Sequence, residues 1–196
     1  AFVAFCFSMT VGVVWEFFEF GMDQIFGMDM QKDFISGPLG TAEARAIVPY
    51  VAEKAKNTPR ENLFVTLDTH QPNYMETNEG RHLPVPHCIE GTEGHALDNA
   101  IAAAVDGIPA SRIIRKPTFG SVALPDMLRA LPEPPTEIEL VGVCTGICVI
   151  SNAMLCKAAF PEANIVIDAA LSACAGVARY CAECDASVPD GNSASG

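Results

Sequence analysis

Apolar runs of strand length alternate along this chain with stretches whose apolar residues recur at helical spacing. Thr41 to Lys56 sets Ala, Ile and Val at helical spacing with Glu and Lys between them, and Thr41 can cap its start. Leu63 to Leu67 reads as a strand that delivers Asp68 and His70 at its end. Asp98 to Val105 reads as a second helix, Arg112 to Arg115 as a strand ending at Lys116, and Ile138 to Val143 and Ile165 to Ile167 as two more strands. Between those two, Cys148 to Phe160 is apolar on nearly every face, the pattern of a buried helix. A run from Ile25 to Met28 reads as the first strand, and the polar, then Gly- and Pro-rich residues after Asp29 as a loop. Strands alternating with helices predict an α/β fold with a doubly wound, largely parallel sheet flanked by helices.

On this reading Asp29, Asp68, Lys116 and Cys148 each stand at or just past the C-terminal end of a different strand, the edge where open parallel sheets build ligand crevices. A tight turn at Thr145, Gly146 and Ile147 puts Cys148 on the first helical turn, where unpaired N–H groups and the helix dipole favour a thiolate. A small buried hydrophobe is the other reading of Cys148 taken alone. Four chemically useful groups on one edge favour a site: a cysteine nucleophile needs a base, a positive group beside the anion, and donors for an oxyanion.

Composition narrows the partners. A chain of 196 residues, 49% hydrophobic, suits one α/β core rather than two domains. A net charge of −12 argues against nucleic acid and favours a small neutral or cationic ligand. The eight cysteines lack the spacing of a secreted disulfide framework, so a reducing, cytoplasmic setting is expected; Cys181 and Cys184 lack the second pair a zinc knuckle needs. Residues 1–26 form an apolar segment without charge as far as Trp15, marginal against the roughly 20 residues of a spanning helix. Any membrane contact is expected through residues 1–20. The expected organisation is that segment, a domain over residues 27–182, and a small, polar tail over 183–196 read as disordered.

Several motifs in order carry a resemblance. D-M-Q-K-D-F at 29–34, T-L-D-T-H at 66–70, L-P-V-P-H-C with G-T-E-G at 83–94, K-P-T-F-G at 116–120 and V-G-V-C-T-G-I-C-V at 141–149 resemble the isochorismatase-like cysteine hydrolases. Nicotinamidases are the closest named activity, over about residues 28–176. The resemblance implies an Asp29-Lys116-Cys148 triad in which Asp29 takes the proton of Cys148 and the thiolate attacks an amide carbonyl. It also implies a cis peptide between Val143 and Cys144, which orients the N–H groups of Cys144 and Cys148 as an oxyanion hole. Asp68, His70, Glu79 and His87 correspond to metal ligands, with His82 the substitute for Glu79; nitrogen and oxygen donors suit zinc first, then manganese or iron. Phe34 and Leu83 correspond to the substrate pocket, and family members commonly form homo-oligomers.

Both ends differ from the family. W-E-F-F-E-F-G-M-D-Q-I-F-G-M-D-M-Q, from Trp15 to Gln31, resembles a junction in a family of multi-spanning bacterial membrane proteins, and the last helix and strand are replaced after Ala175. Three readings follow: a metal-dependent nicotinamide amidase, a cysteine hydrolase of another small amide, carbamoyl compound or vinyl ether, and a non-catalytic fragment or membrane-tethered fusion.

Overall fold

The computed structural model describes residues 29–174. The expected strand at Ile25 to Met28, the apolar N-terminal segment and the tail lie outside them. In chain order the elements are α1 (Lys32–Ile35), α2 (Ala42–Asn57), β1 (Val65–Asp68), α3 (Asn78–His82), α4 (Asn99–Ala104), β2 (Ile113–Lys116), α5 (Ala123–Arg129), β3 (Glu137–Val143), a π-helical turn (Thr145–Val149), α6 (Ile150–Ala159) and β4 (Asn164–Ala173). Among the described residues β1 pairs with β2 and β3 with β4, both in parallel. Parallel strands joined through helices are the α/β architecture expected.

Alternation along the strands sorts the core into two layers, because residues two apart share a face. Val65, Val141 and Val143 join Ala44, Ile47, Val51 and Ala55 of α2 and Ile101 of α4 in one cluster. Phe64, Ile138 and Leu140 join Leu124 and Leu128 of α5 and Ala153 and Cys156 of α6 in the other. Helices therefore cover the two faces of the strands. Glu139 falls on the α2 side, buried, and Lys54 of α2 meets it there in an ion pair, with Asp168 3.8 Å from the same ammonium. Between Leu140 and Gly142 the β3–β4 register jumps: Leu140 faces Ile167, but Gly142, at φ 109°, faces Ser172.

Three expectations change. Residues Lys32 to Ile35 form a turn of helix instead of loop, because Lys32 and Asp33 donate their N–H groups to the carbonyls of Ala96 and Gly94, which orient the turn from outside. The helix after β3 is buried on one face only: Ile150 and Met154 are exposed while Asn152, Ala153 and Cys156 face the core. Its first turn is π-helical, so Cys148 sits inside that turn and ahead of the α-helix. Helix α5 is an element for which no expectation was stated; its Pro125 falls in the helix's first turn, where proline costs no internal hydrogen bond.

Thr41 caps α2 as expected, accepting from the N–H of Ala44 at 3.0 Å, and its hydroxyl donates to the carbonyl of Cys174 at 3.1 Å. Thr41→Ala removes both bonds and lowers unfolding free energy by about 1–2 kcal/mol in urea titration; an unchanged midpoint would show that neither bond holds α2 against the end of β4.

Candidate active site

The register of β1 on β2 builds the centre of the site. Asp68 and Lys116 are direct partners at the ends of these strands, with the Thr69 N–H donating to the Lys116 carbonyl at 2.8 Å. Their side chains meet on one face: Lys116 Nζ is 3.0 Å from Asp68 Oδ1. Asp29 enters from the residues before α1 and places Oδ2 3.0 Å from the same Nζ, while its Oδ1 accepts from the Thr66 hydroxyl at 2.7 Å. The π-helical turn after β3 brings Cys148 Sγ to 3.5 Å from Nζ. The Val143–Cys144 peptide is cis, at the position the resemblance implied. Asp29, Lys116 and Cys148, distant in sequence, thus converge on one ammonium.

Burial sets the protonation states. Lys116 has no exposed surface, and although burial opposes its charge, Asp29, Cys148 and Asp68 hold its pKa well above 10.5. Burial raises Asp29 above the ordinary carboxylate range, against the pull of Lys116 and the Thr66 hydroxyl. Burial also pushes the Cys148 thiol well up, more than Lys116 lowers it. This direction is opposite to the one a helix N-terminus alone favours, and a carboxylate made more basic by burial shares the ammonium beside the sulfur. Such a set can pass a proton from sulfur to carboxylate when a substrate is in place.

A second cluster abuts the first through Asp68. Its Oδ2 lies 3.3 Å from Nε2 of His70 and 3.3 Å from Nε2 of His87, and Glu79 Oε1 is 3.4 Å from His70 Nε2. These four groups offer ligand atoms within 4.8 Å of one another. Glu79 Oε1 and His87 Nε2 are buried without a hydrogen-bond partner, and His87 Nδ1 lies 2.7 Å from the Val85 carbonyl, which selects the tautomer whose Nε2 lone pair faces the cluster. Two carboxylates and two imidazoles aimed at one point fit a divalent cation. Burial raises Asp68, but Lys116, followed by His70 and His87, holds it well below the ordinary range, so it stays an anion. Glu79, on α3, takes the position for which His82 was the substitute; His82 is exposed, its Nδ1 2.7 Å from the Asn78 carbonyl.

Several polar residues that the sequence reading did not single out hold these groups. Gln31, fully buried, accepts from the Asp68 N–H at 2.7 Å and donates to the carbonyls of Asp68 and His95, each at 2.8 Å. Asp33 accepts from the N–H of Cys88 at 2.7 Å, securing the segment that carries His87; Gly94 packs so closely on that carboxylate that a Cβ would collide with it. Asn152 accepts from the Ser121 N–H at 2.9 Å and donates to the Cys148 carbonyl at 2.8 Å. The available signal was polar residues at positions that pattern as buried; their partners are distant main-chain groups. His95 has Nε2 2.9 Å from the Thr69 hydroxyl.

Phe34 and Leu83, expected in the substrate pocket, are both buried. Phe34 packs against His87 with ring centroids 5.4 Å apart, and the Leu83 carbonyl accepts from Tyr74 Oη at 3.0 Å. Beside Glu79 opens a cavity of about 580 Å³ lined by Thr77, Asn78, Glu79, His82, Pro117, Thr118 and Phe119. The lining of this cavity comes from α3, the residue before it and the loop after β2.

Comparison with known proteins gives one match over most of the chain and one at its start. Residues 24–180 match the family described as Isochorismatase domain, and residues 1–38 match the family described as Predicted membrane protein (DUF2238). No curated protein matches in sequence. Among solved structures, the chain is similar to a nicotinamidase/pyrazinamidase from Bacillus subtilis at 25% identity, covering 78% of this chain and 87% of that one, TM-score 0.64. An N-carbamoylsarcosine amidase from Thermoplasma acidophilum (21% identity, 76% and 83% covered, TM-score 0.60) shares the fold. So does a pyrazinamidase from Pyrococcus horikoshii solved in complex with zinc (21%, 84% and 95%, TM-score 0.56). No helix among the described residues is long and apolar enough to cross a membrane.

Two outcomes follow from this geometry. Asn152→Ala orphans the Ser121 N–H and frees the Cys148 carbonyl, lowering unfolding free energy by about 2–3 kcal/mol in urea titration; a loss under about 0.5 kcal/mol would show the two bonds to be dispensable. His87 is raised above 6.5: burial lowers it, but the Asp68 contact, the Val85 carbonyl and the charges of Asp68 and Glu79 outweigh burial. Its contribution to the metal-free protein is complete below 6.5 and lost as pH rises through the elevated value. Zinc uptake, which needs the imidazole neutral, strengthens over the same rise. Chelated protein should therefore unfold at lower urea at about pH 8 than at about pH 6.5 while zinc binds more tightly, and zinc affinity flat across that interval would remove His87 from the ligand set.

Proposed function

Because the chain belongs to the isochorismatase-domain family, we propose that it is a metal-dependent cysteine amidase that hydrolyses nicotinamide, or a close pyridine carboxamide, to nicotinic acid and ammonia. The observation that carries this reading is the single ammonium of Lys116 within 3.0 Å of both Asp29 and Asp68 and 3.5 Å of Cys148, so that a nucleophile, its base and the four-ligand cluster form one connected site. The cavity beside Glu79, lined also by Pro117, Thr118 and Phe119 of the loop after Lys116, is the entry this reading assigns to a flat amide.

Asp29 takes the proton of Cys148 as sulfur adds to the amide carbon, and Lys116 balances the negative charge on both groups. The N–H groups of Cys144 and Cys148 receive the oxyanion. As the carbon–nitrogen bond breaks, Asp29 returns its proton to the departing ammonia, leaving a thioester on Sγ. A water molecule, deprotonated by Asp29, then adds to the thioester; the acid leaves and Cys148 regains its proton. A divalent ion, zinc ahead of manganese or iron, supplies open coordination positions for the pyridine nitrogen or water when bound to Asp68, His70, Glu79 and His87. Gln31 and Asp33 keep the segments carrying Asp68 and His87 in place. A reducing, cytoplasmic setting and assembly as a homo-oligomer belong to the same reading.

The test is ammonia release from nicotinamide by purified protein with and without prior chelation. Turnover should need the metal and fall by about 10⁴-fold or more in Cys148→Ala, with the thermal transition retained. Undiminished release by that variant would remove Cys148 as nucleophile. A folded, metal-loaded protein inert toward nicotinamide but active on another small amide or carbamoyl compound would move the substrate and leave the triad.

A further inference from the structure

Lys116 stands between two carboxylates that serve different clusters. Its Nζ is 3.0 Å from Asp29 Oδ2 and 3.0 Å from Asp68 Oδ1, with the Thr118 carbonyl at 3.4 Å and Cys148 Sγ at 3.5 Å. Asp68 is divided in the same way. Its Oδ1 faces Lys116, and its Oδ2 faces Nε2 of His70 and His87. Gln31 holds the Asp68 peptide from both sides, by its N–H and by its carbonyl, which keeps this division in place. Asp29, Asp68 and Lys116 are each 4% exposed or less, so bulk water screens none of these interactions.

From this shared carboxylate we propose that Lys116 is a positioning residue for the metal centre as well as a member of the triad, coupling the cation affinity of Asp68, His70, Glu79 and His87 to the charge on Asp29. The proposal rests on the metal-dependent reading above. A cation at Oδ2 and the ammonium at Oδ1 draw on the charge of one carboxylate, and each weakens the hold of the other. Asp29 moderates that competition by offsetting part of the ammonium's charge. Removing the ammonium therefore strengthens Asp68 as a ligand, whereas removing the charge of Asp29 turns the ammonium wholly on Asp68 and weakens it. Linkage makes the effect reciprocal: a filled centre engages Asp68 and leaves Lys116 to Asp29 and Cys148. Occupancy of the centre thus reaches the nucleophile through a lysine that is not one of the four ligands.

The measurement is the zinc dissociation constant of the full chain, by competition with a chromophoric chelator at one pH and ionic strength, for wild type, Lys116→Met and Asp29→Asn. Lys116→Met should bind zinc about tenfold more tightly and Asp29→Asn about fivefold more weakly. Opposite signs are the signature, because simple loosening of a packed site weakens binding in both variants. Two unchanged constants, or two weakened ones, overturn the coupling while leaving a zinc-binding, nicotinamide-hydrolysing wild type intact. If Lys116→Met does not fold, Asp29→Asn is judged against Cys148→Ala, which removes a neighbour of Lys116 without removing a carboxylate. Weakening in Asp29→Asn alone supports the coupling, and equal weakening in both overturns it. A wild type that binds no zinc overturns the coupling and the metal-dependent reading together.

Discussion

A lysine ammonium with no exposed surface is the constraint to which the rest of the site answers. Burying an unpaired charge costs several kcal/mol, and the cost is offset only when opposite charges and hydrogen bonds surround it. Here two carboxylates lie at 3.0 Å, one from the neighbouring strand and one from the residues preceding α1. Each carboxylate has further partners in turn: Thr66 for Asp29, His70 and His87 for Asp68. The requirement for paired charge propagates outward from Lys116 until it meets main-chain groups, which is why so many polar side chains are buried at one end of the strands.

The same burial decides the resting chemistry. A cysteine near a helix start is expected to ionise readily, yet in the π-helical turn desolvation outweighs the ammonium and the thiol is favoured. Desolvation also makes Asp29 a stronger base, so the two groups move in the same direction, and the rise of Asp29 favours transfer of a proton from sulfur to carboxylate. Lys116 favours the charged form of whichever group is ionised. Neither side chain would have this character on an exposed strand end, where water would screen the lysine and solvate the anion.

Much of the architecture was legible from periodicity alone. The helix at Thr41, the strands ending at Asp68 and Lys116, and the strand before Cys148 lie where alternation and capping placed them, because each is stabilised by local pattern and burial of one face. Legibility failed where distant main chain does the holding. Lys32 to Ile35 turn into helix against carbonyls of residues 94 and 96, and Gln31, Asp33 and Asn152 matter through bonds to segments tens of residues away, which no local window contains. The exposed Ile150 and Met154 show the converse limit: apolar composition all round a helix does not say which face the neighbours will cover.

By itself the sequence determined that Asp68 and Lys116 close two strands and which chemistry the chain carries: a thiol, two carboxylates, a lysine and a set of side chains able to bind a metal, read against a two-residue alternation that is a property of the extended chain. Tertiary structure alone decided that Asp68 and Lys116 are register partners, that one ammonium reaches both carboxylates and the thiol, and that Glu79 rather than His82 joins the cluster. Parallel pairing and crossover helices bring together groups far apart in the chain, and the charges and protonation states that follow depend on distance and burial, quantities that exist only once the chain has folded.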